Sequence, residues 1–80
     1  MRNSVFIVGP SGSGKSKNAF AFVKKLELQA IQDWSMGDPI LPKGMLYLTN
    51  EDITDVINVA CGDGEDITVI PIEKAKNLYL

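Results

Sequence analysis

The sequence is poor in the features that would place a protein in a membrane, outside the cell or on nucleic acid. Its single cysteine, Cys61, cannot form an internal disulfide, and we interpret it as an unreactive buried or loop thiol. No apolar run approaches the roughly twenty residues that a membrane span needs, and a predicted strand follows Met1 too closely for an export signal. The net charge of −2 provides no broad basic surface for nucleic acid. We therefore expect a cytoplasmic chain without a membrane partner, and nucleic acid is a disfavoured partner.

The length and composition fit one small globular domain. The chain has 80 residues, of which 45% are hydrophobic, and we assign all of it, residues 1–80, to a single domain. The mean hydropathy is near zero, which argues against disorder. No internal repeat or low-complexity segment divides the sequence.

The most informative segment is the octapeptide GPSGSGKS at residues 9–16, which matches the pattern G-x-x-x-x-G-K-[ST]. Its glycines permit a tight turn whose successive backbone N–H groups point at a bound phosphate. In this pattern Lys15 reaches the β and γ phosphates of a nucleotide, and the Ser16 hydroxyl ligates Mg²⁺. The N-terminus of the following helix would add partial positive charge. The pattern therefore predicts ATP, or GTP, with Mg²⁺ as the ligands.

The setting of the octapeptide supports this prediction. Residues 4–8 form a short apolar, β-branched run typical of a buried parallel strand, and residues 17–26 show helical spacing, with Phe20, Val23 and the stem of Lys24 on one side. The phosphate-binding residues that we predict are Gly9, Pro10, Ser11, Gly12, Ser13, Gly14, Lys15, Ser16 and Lys17.

The middle of the chain predicts a second and a third strand separated by a loop. Residues 26–33 alternate apolar and polar side chains, which indicates a strand that ends at Asp33, although a helix continuing to residue 30 is an alternative. Two prolines and two glycines in residues 35–44 predict the main loop. The apolar run at residues 45–49 is typical of a central parallel strand, and we expect it to lie beside the first strand.

The last thirty residues leave two interpretations open. One is a helix over about residues 51–60, capped by Asn50, and the other is a hairpin in which residues 56–59 and 67–70 flank a turn at residues 62–65. In both, residues 67–70 form a strand, and Pro71 leads residues 72–80 into a terminal amphipathic turn or two.

This alternation of strands and helices predicts an α/β fold. We expect a minimal three-layer sandwich with about four mostly parallel strands and two to three helices. Ligands of such folds bind at the carboxyl ends of the strands. The residues expected there are the octapeptide at residues 9–16, which we call the phosphate loop, Asp33 with Trp34, and residues 49–51.

Phosphoryl transfer needs a phosphate cradle, Mg²⁺, a supporting carboxylate and a group that places the nucleophile. Lys15, Asp33 and Asn50 are the candidate catalytic residues, and Ser16 and Asp33 are the candidate metal ligands. Asp33 ends a predicted strand, but a helix cap or an exposed turn residue is an equal alternative. Asn50 would orient water or contact the γ phosphate, and a helix cap is again the alternative.

Four further residues near these positions have ordinary structural interpretations that we favour. Glu51 and Asp52 make an acidic first helical turn. Trp34 would stack on a base or cover the site, but partial burial in the core is the preferred interpretation. Lys43 is interpreted as an exposed cation of the main loop.

The segment at residues 9–16 with its flanking strand and helix resembles the P-loop NTPase superfamily over about the first third of the chain. The spacing from Lys15 to Asp33 is similar to that in shikimate and gluconate kinases. Taken with QDW and LPKGMLYLTN, the sequence resembles the very small P-loop ATP-binding proteins of bacteriophages and bacteria. The resemblance implies that the Asp33–Trp34 strand end acts as a Walker B element and that LTN acts as a polar sensor. A Walker B element has an acidic pair at this point. This sequence has Gln32 and Asp33 there, so the glutamate of the pair is missing.

The composition of the site predicts weak catalysis. The only arginine is Arg2, which precedes the first strand, so no internal arginine is available to neutralise charge that develops during transfer. We expect a P-loop protein that binds nucleoside triphosphate with Mg²⁺ and hydrolyses or transfers phosphate slowly. The alternative is a nucleotide-gated interaction module, such as a phage accessory protein, whose bound nucleotide orders residues 34–44 for a partner. A second copy of the chain or another protein would then supply the missing charge.

Overall fold

A computed structural model describes residues 2–60 and 67–80 of the chain. Cys61 and the turn predicted at residues 62–65 lie outside the described residues. The strands are β1 (Val5–Val8), β2 (Ala30–Asp33), β3 (Met45–Thr49) and β4 (Thr68–Pro71). The helices are α1 (Ala19–Leu26), α2 (Ile53–Ala60) and α3 (Ile72–Tyr79).

The four strands form one parallel sheet in the order β2-β3-β1-β4. Along β1 and β3, the pairing runs from Val5 opposite Leu46 to Val8 opposite Thr49, which confirms that residues 45–49 lie beside the first strand. Parallel strands need crossover connections. Helix α1 lies between β1 and β2, α2 lies between β3 and β4, and α3 follows β4. The predicted α/β fold is therefore confirmed.

Both faces of the sheet are covered, because the side chains of β1 alternate between two buried clusters. On one face Val5 and Ile7 pack with buried residues of α1 and α3, which are Ala19, Phe22, Ile72 and Ala75. On the other face Phe6 and Val8 pack with Trp34 and with two buried residues of α2, Val56 and Ala60. The architecture is thus three layers, with α1 and α3 on one side of the sheet and α2 on the other.

Helix α1 begins two residues later than predicted, and its fully buried residues are not those that the predicted spacing singled out. Its buried residues are Ala19 and Phe22, whereas Phe20 is 81% exposed. Successive helical residues are separated by about 100° around the axis, so the side that carries positions 19 and 22 turns position 20 outward. Of the side predicted to carry Phe20, Val23 and the Lys24 stem, only Val23 packs against the core, and Phe20 and Lys24 are exposed.

Helix α1 ends in a Schellman motif, which shortens the strand predicted over residues 26–33. Glu27 adopts the left-handed conformation with φ 57°. The Leu28 N–H donates to the Val23 carbonyl at 3.0 Å, and the Glu27 N–H donates to the Lys24 carbonyl at 3.3 Å. Leu28 is buried in the cluster beneath α1. Strand structure therefore starts only at Ala30, and the alternative of a helix continuing to residue 30 is also wrong.

The segment after β3 is a helix and not one strand of a hairpin. Its cap differs from the prediction, because the Asp52 carboxylate accepts from the Thr54 N–H at 2.8 Å. The Asp52 carbonyl accepts from the Val56 N–H at 3.0 Å, so Asp52 is the N-cap and Asn50 is free of that role. The helix consequently starts at Ile53, two residues after the predicted start.

Pro71 closes β4 and immediately precedes α3, which forms two full turns. The buried positions Ile72 and Ala75 hold α3 against the same face of the sheet as α1. Within residues 2–60 and 67–80, no helix has the length and apolar character needed to cross a bilayer.

Candidate functional site

The loop at residues 9–16, which the sequence predicts to be a phosphate loop, follows the carboxyl end of the central strand β1. The Gly9 N–H donates to the Thr49 carbonyl at 3.1 Å, which extends the pairing of β1 with β3 into the loop. Gly12 and Gly14 have φ values of 77° and 94°, a backbone region that residues with a Cβ atom rarely adopt. The Ser13 hydroxyl donates to the Pro10 carbonyl at 2.6 Å and closes the turn. The glycines at these positions thus have the conformational role that the sequence pattern requires.

Lys15 is buried at the base of this loop, where it is 8% exposed. Its ammonium group donates to the carbonyls of Gly9 and Pro10, at 2.6 and 2.8 Å. Burial lowers the pKa of Lys15 below the ordinary value for lysine, and the negative charge of Asp33 opposes this shift. The loop therefore holds a desolvated cation among carbonyl groups that are much weaker partners than phosphate oxygens.

Ser16 and Lys17 are exposed and lie in turns before α1, which starts at Ala19. The Asn18 N–H donates to the Gly14 carbonyl at 3.1 Å, so the chain is already coiled at this point. Because the field of a helix terminus falls off within the first turn, α1 contributes less positive charge to the loop than the sequence predicts.

The loop forms one wall of an open cleft with a volume of about 730 Å³, a size that suits a small organic ligand. The loop residues that line it are Ser11, Gly12, Gly14, Lys15, Ser16 and Lys17. The opposite wall consists of residues at the carboxyl ends of β2 and β3, which are Asp33, Trp34, Ser35, Leu48, Thr49, Asn50 and Glu51. The predicted candidates Lys15, Asp33 and Asn50 thus share one cleft.

Asp33 lies on the edge strand β2, and β3 separates it from β1. Neighbouring strands are about 4.8 Å apart, so two strand spacings place Asp33 roughly 10 Å across the sheet from the strand that carries the loop. Its side chain is exposed, and its charge reaches Lys15 strongly enough to favour the protonated lysine. The position suits a carboxylate that acts across the cleft.

The end of β3 is next to the loop and makes two connections. The Asn50 amide donates to the Ser11 hydroxyl at 3.1 Å. The Glu51 carboxylate accepts from the Met36 N–H at 2.7 Å and so holds the loop after β2. The sequence indicated Asn50 as a site residue, but nothing in its local pattern showed that Glu51 binds the main loop.

Trp34 belongs to the core, as the preferred interpretation holds. It is 3% exposed and packs edge-on against Phe6, with ring centroids 5.1 Å apart. Its indole N–H donates to the Asp38 carbonyl at 3.2 Å.

Lys43 is exposed, and its ammonium donates to the Asn3 side chain at 2.9 Å, at the opposite end of the strands from the cleft.

Helix α3 approaches the loop closely from the side. A Cβ atom added at Gly9 would overlap the Ile72 Cγ2 atom. A Cβ atom added at Gly14 would lie 3.3 Å from the Lys76 ammonium nitrogen. No local pattern in the sequence marks Lys76, because its position depends on how α3 packs against the loop.

The donor groups of the cleft fit Mg²⁺ only in combination with a phosphate. Within the part of the chain that the structure describes, no three His, Cys, Asp or Glu side chains are grouped to hold a metal. Ser16 and Asp33 both line the cleft. Mg²⁺ in nucleotide sites commonly takes one or two protein oxygens and completes its shell with phosphate oxygens and water, so a site of this kind would need no more than these two residues from the protein.

No protein-family model matches the chain, and the searches of curated proteins and of solved structures returned no match.

Proposed function

We propose that the protein is a cytoplasmic P-loop protein that binds the phosphates of ATP or GTP with Mg²⁺. The observation that carries the proposal is the position of Lys15, whose ammonium lies in a glycine-rich loop at the carboxyl end of the central strand. Two glycines with positive φ give this loop its curvature. A buried cation beside a concave backbone is the chemistry that a polyphosphate requires.

The residues of the proposed site divide the contacts to the phosphates and to Mg²⁺ among them. Lys15 leaves the carbonyls of Gly9 and Pro10 to contact the β and γ phosphates, which are stronger acceptors. Ser16 and Asp33 hold Mg²⁺, which neutralises the charge of the phosphate chain when bound. Asn50 lies beside the loop at Ser11 and is the residue placed to contact a γ phosphate or a water molecule.

The proposed turnover is slow because, among the described residues, no arginine and no unoccupied glutamate line the cleft. Arg2, the only arginine of the chain, pairs with Glu27, and both side chains are more than 60% exposed. The Glu51 carboxylate already accepts from the Met36 N–H. A cis arginine or its equivalent accounts for several orders of magnitude of rate in related phosphoryl transfers, so binding is the better supported part of the function.

The test compares nucleotide binding by the wild-type chain, Lys15→Ala and Lys43→Ala. Lys43 is an exposed lysine outside the cleft, and it controls for the loss of one positive charge. Dissociation constants for ATP, GTP and ADP are measured by calorimetry with Mg²⁺ and with EDTA. We expect Lys15→Ala to weaken binding by more than tenfold and Lys43→Ala to leave it nearly unchanged. Equal affinities of Lys15→Ala and Lys43→Ala would contradict the proposal.

A second function, a nucleotide-gated interaction module, is favoured by the connections at the end of β3. Asn50 bonds to the phosphate loop, and the adjacent Glu51 bonds to Met36 in the loop over residues 34–44. A ligand that displaces Ser11 would therefore act on two residues that are neighbours in sequence and hold different loops. Hydrogen exchange of the Met36 amide that differs between the ATP and ADP states, without turnover, would favour this function over slow hydrolysis.

A further inference from the structure

Helix α3 lies along the phosphate loop and touches both of its ends. Ile72, in the first turn of α3, is 3% exposed and leaves no room for a Cβ atom at Gly9. Lys76 follows four residues later, so it lies on the same face of the helix one turn further along. The first glycine of the loop thus meets Ile72, and the last meets Lys76.

The end of the Lys76 side chain lies beside the last glycine of the loop. A Cβ atom added at Gly14 would lie 3.3 Å from its Nζ atom and 3.4 Å from its Cε atom. Lys76 is half-buried, whereas Lys74 on the same helix is exposed. Among residues 2–60 and 67–80, no carboxylate lies within 4 Å of the Lys76 ammonium.

A second donor lies at the same point. The Asn18 amide nitrogen would be 3.2 Å from the same added Cβ atom, and it donates to the Gly14 carbonyl at 3.0 Å. A lysine of α3 and the amide of the residue that precedes α1 therefore lie beside the last glycine of the loop. This glycine belongs to the part of a phosphate loop whose N–H groups cradle the α and β phosphates.

We propose that Lys76 is a phosphate-binding residue that contacts the α and β phosphates from the side of the loop that faces α3. The inference rests on the proposed function and adds a residue from the last helix to the site. It assigns to Lys76 part of the charge neutralisation that the chain cannot obtain from an internal arginine. A half-buried ammonium without a carboxylate partner gains more from a phosphate than an exposed lysine does, because less water screens the interaction.

The test measures binding of MgADP, MgATP and magnesium pyrophosphate to Lys76→Ala, Lys76→Arg and Lys74→Ala. Lys74→Ala removes the same charge from the exposed side of α3 and is the matched control. We expect Lys76→Ala to weaken all three ligands by about tenfold, with Lys74→Ala within twofold of the wild type and Lys76→Arg recovering most of the loss. ADP and ATP are affected alike because the contact does not involve the γ phosphate.

The outcomes separate this inference from the proposed function. Wild-type chain that binds none of the three ligands overturns both. Wild-type chain that binds them, with equal affinities for Lys76→Ala and Lys74→Ala, overturns only the role of Lys76. A loss in Lys76→Ala that arginine does not recover, together with a lower melting temperature in the absence of ligand, shows a structural role and also overturns the inference.

Discussion

The Asn50 side-chain amide donates to the Ser11 hydroxyl at 3.1 Å and thereby joins the end of β3 to the phosphate loop. This relationship follows from the strand order, in which β3 is the direct neighbour of β1. It leaves Asn50 available to a ligand, because Asp52 takes the capping role at α2. A bound γ phosphate would compete with Ser11 for the same amide.

We expect Asn50→Ala to weaken ATP binding more than ADP binding. The Asn50 amide lies at the Ser11 end of the loop, so its loss removes a donor that only the γ phosphate would use, and one hydrogen bond to a charged group corresponds to about tenfold in affinity. Calorimetry on Asn50→Ala and on Asn58→Ala, an exposed asparagine of α2, measures the difference. An equal loss of ATP and ADP affinity in Asn50→Ala would show that the residue acts on the loop as a whole.

We expect Glu51→Ala to loosen the loop after β2 without unfolding the domain. The carboxylate accepts from the Met36 N–H at 2.7 Å, and its removal leaves that amide to water. Since the loop retains the bond from the Trp34 indole to the Asp38 carbonyl, the effect should stay local. Hydrogen exchange at Met36 should accelerate several-fold in Glu51→Ala and remain unchanged in the control Asp55→Ala.

The sequence predicted the fold well where strands are buried on both faces. Strands β1 and β3 are continuous apolar runs, and such runs in a short chain have few other structures available. Strand β2 was predicted poorly, since it is an exposed edge strand of four residues and the alternation before it belongs to the end of a helix. Periodicity cannot separate these cases when Glu27, and not glycine, occupies the left-handed position.

The candidate site was predictable only as far as it is local in sequence. The glycines of the octapeptide themselves favour a tight turn, so residues 9–16 could be predicted as a loop from the sequence alone. Asp33 and Asn50 followed from the rule that ligands bind at the carboxyl ends of strands. The roles of Glu51 and Lys76 depend on the packing of a loop and a helix from other parts of the chain, and no spacing in the sequence encodes those contacts.

We expect Gly9→Ala to destabilise the domain through a clash with α3. The added Cβ atom would overlap Ile72 Cγ2, and overpacking of this kind costs about 1–3 kcal/mol. The cost should fall in an Ile72→Ala background, because Cγ2 is then absent, and the part that remains comes from the Cβ atom at position 72 and Ser13 Oγ, each 3.0 Å from the added atom. Gly37→Ala is the control, since Gly37 has φ 96° and open space around it, and its cost should be the same in both backgrounds. Chemical denaturation of the single and double variants measures the coupling.

We expect Glu27→Gly to raise the free energy of unfolding by about 0.5–1 kcal/mol. A non-glycine residue at φ 57° carries a steric cost that glycine lacks. The variant also loses the ion pair with Arg2, but both partners are more than 60% exposed and such pairs contribute little. Arg2→Ala isolates that loss and should change stability by less than about 0.5 kcal/mol. A Glu27→Gly variant that is no more stable than Arg2→Ala would contradict the expectation.

We expect nucleotide affinity to fall at alkaline pH as Lys15 loses its proton. Burial lowers the pKa of Lys15, so the fall should begin at a lower pH than the ordinary lysine value of about 10.4 implies. The stability of the ligand-free protein changes with pH in the opposite direction to the nucleotide affinity. Between the lowered pKa of the folded state and the ordinary pKa of the unfolded state, the unfolded chain binds more protons, and the contribution of Lys15 to stability rises with pH.

The charge of Asp33 provides the check on this pH dependence. Asp33 favours the protonated lysine, so Asp33→Asn should lower the pKa of Lys15 further and move the loss of ADP affinity to lower pH. The measurement is made in EDTA, which removes the separate effect of Asp33 on Mg²⁺. Asp55→Asn, an exposed change on α2, should leave the profile in place, and Lys15→Ala should abolish the pH-dependent loss. If Asp33→Asn and Asp55→Asn gave the same profile, Asp33 would not act on Lys15 across the cleft, and its role would reduce to that of an exposed residue at the end of β2.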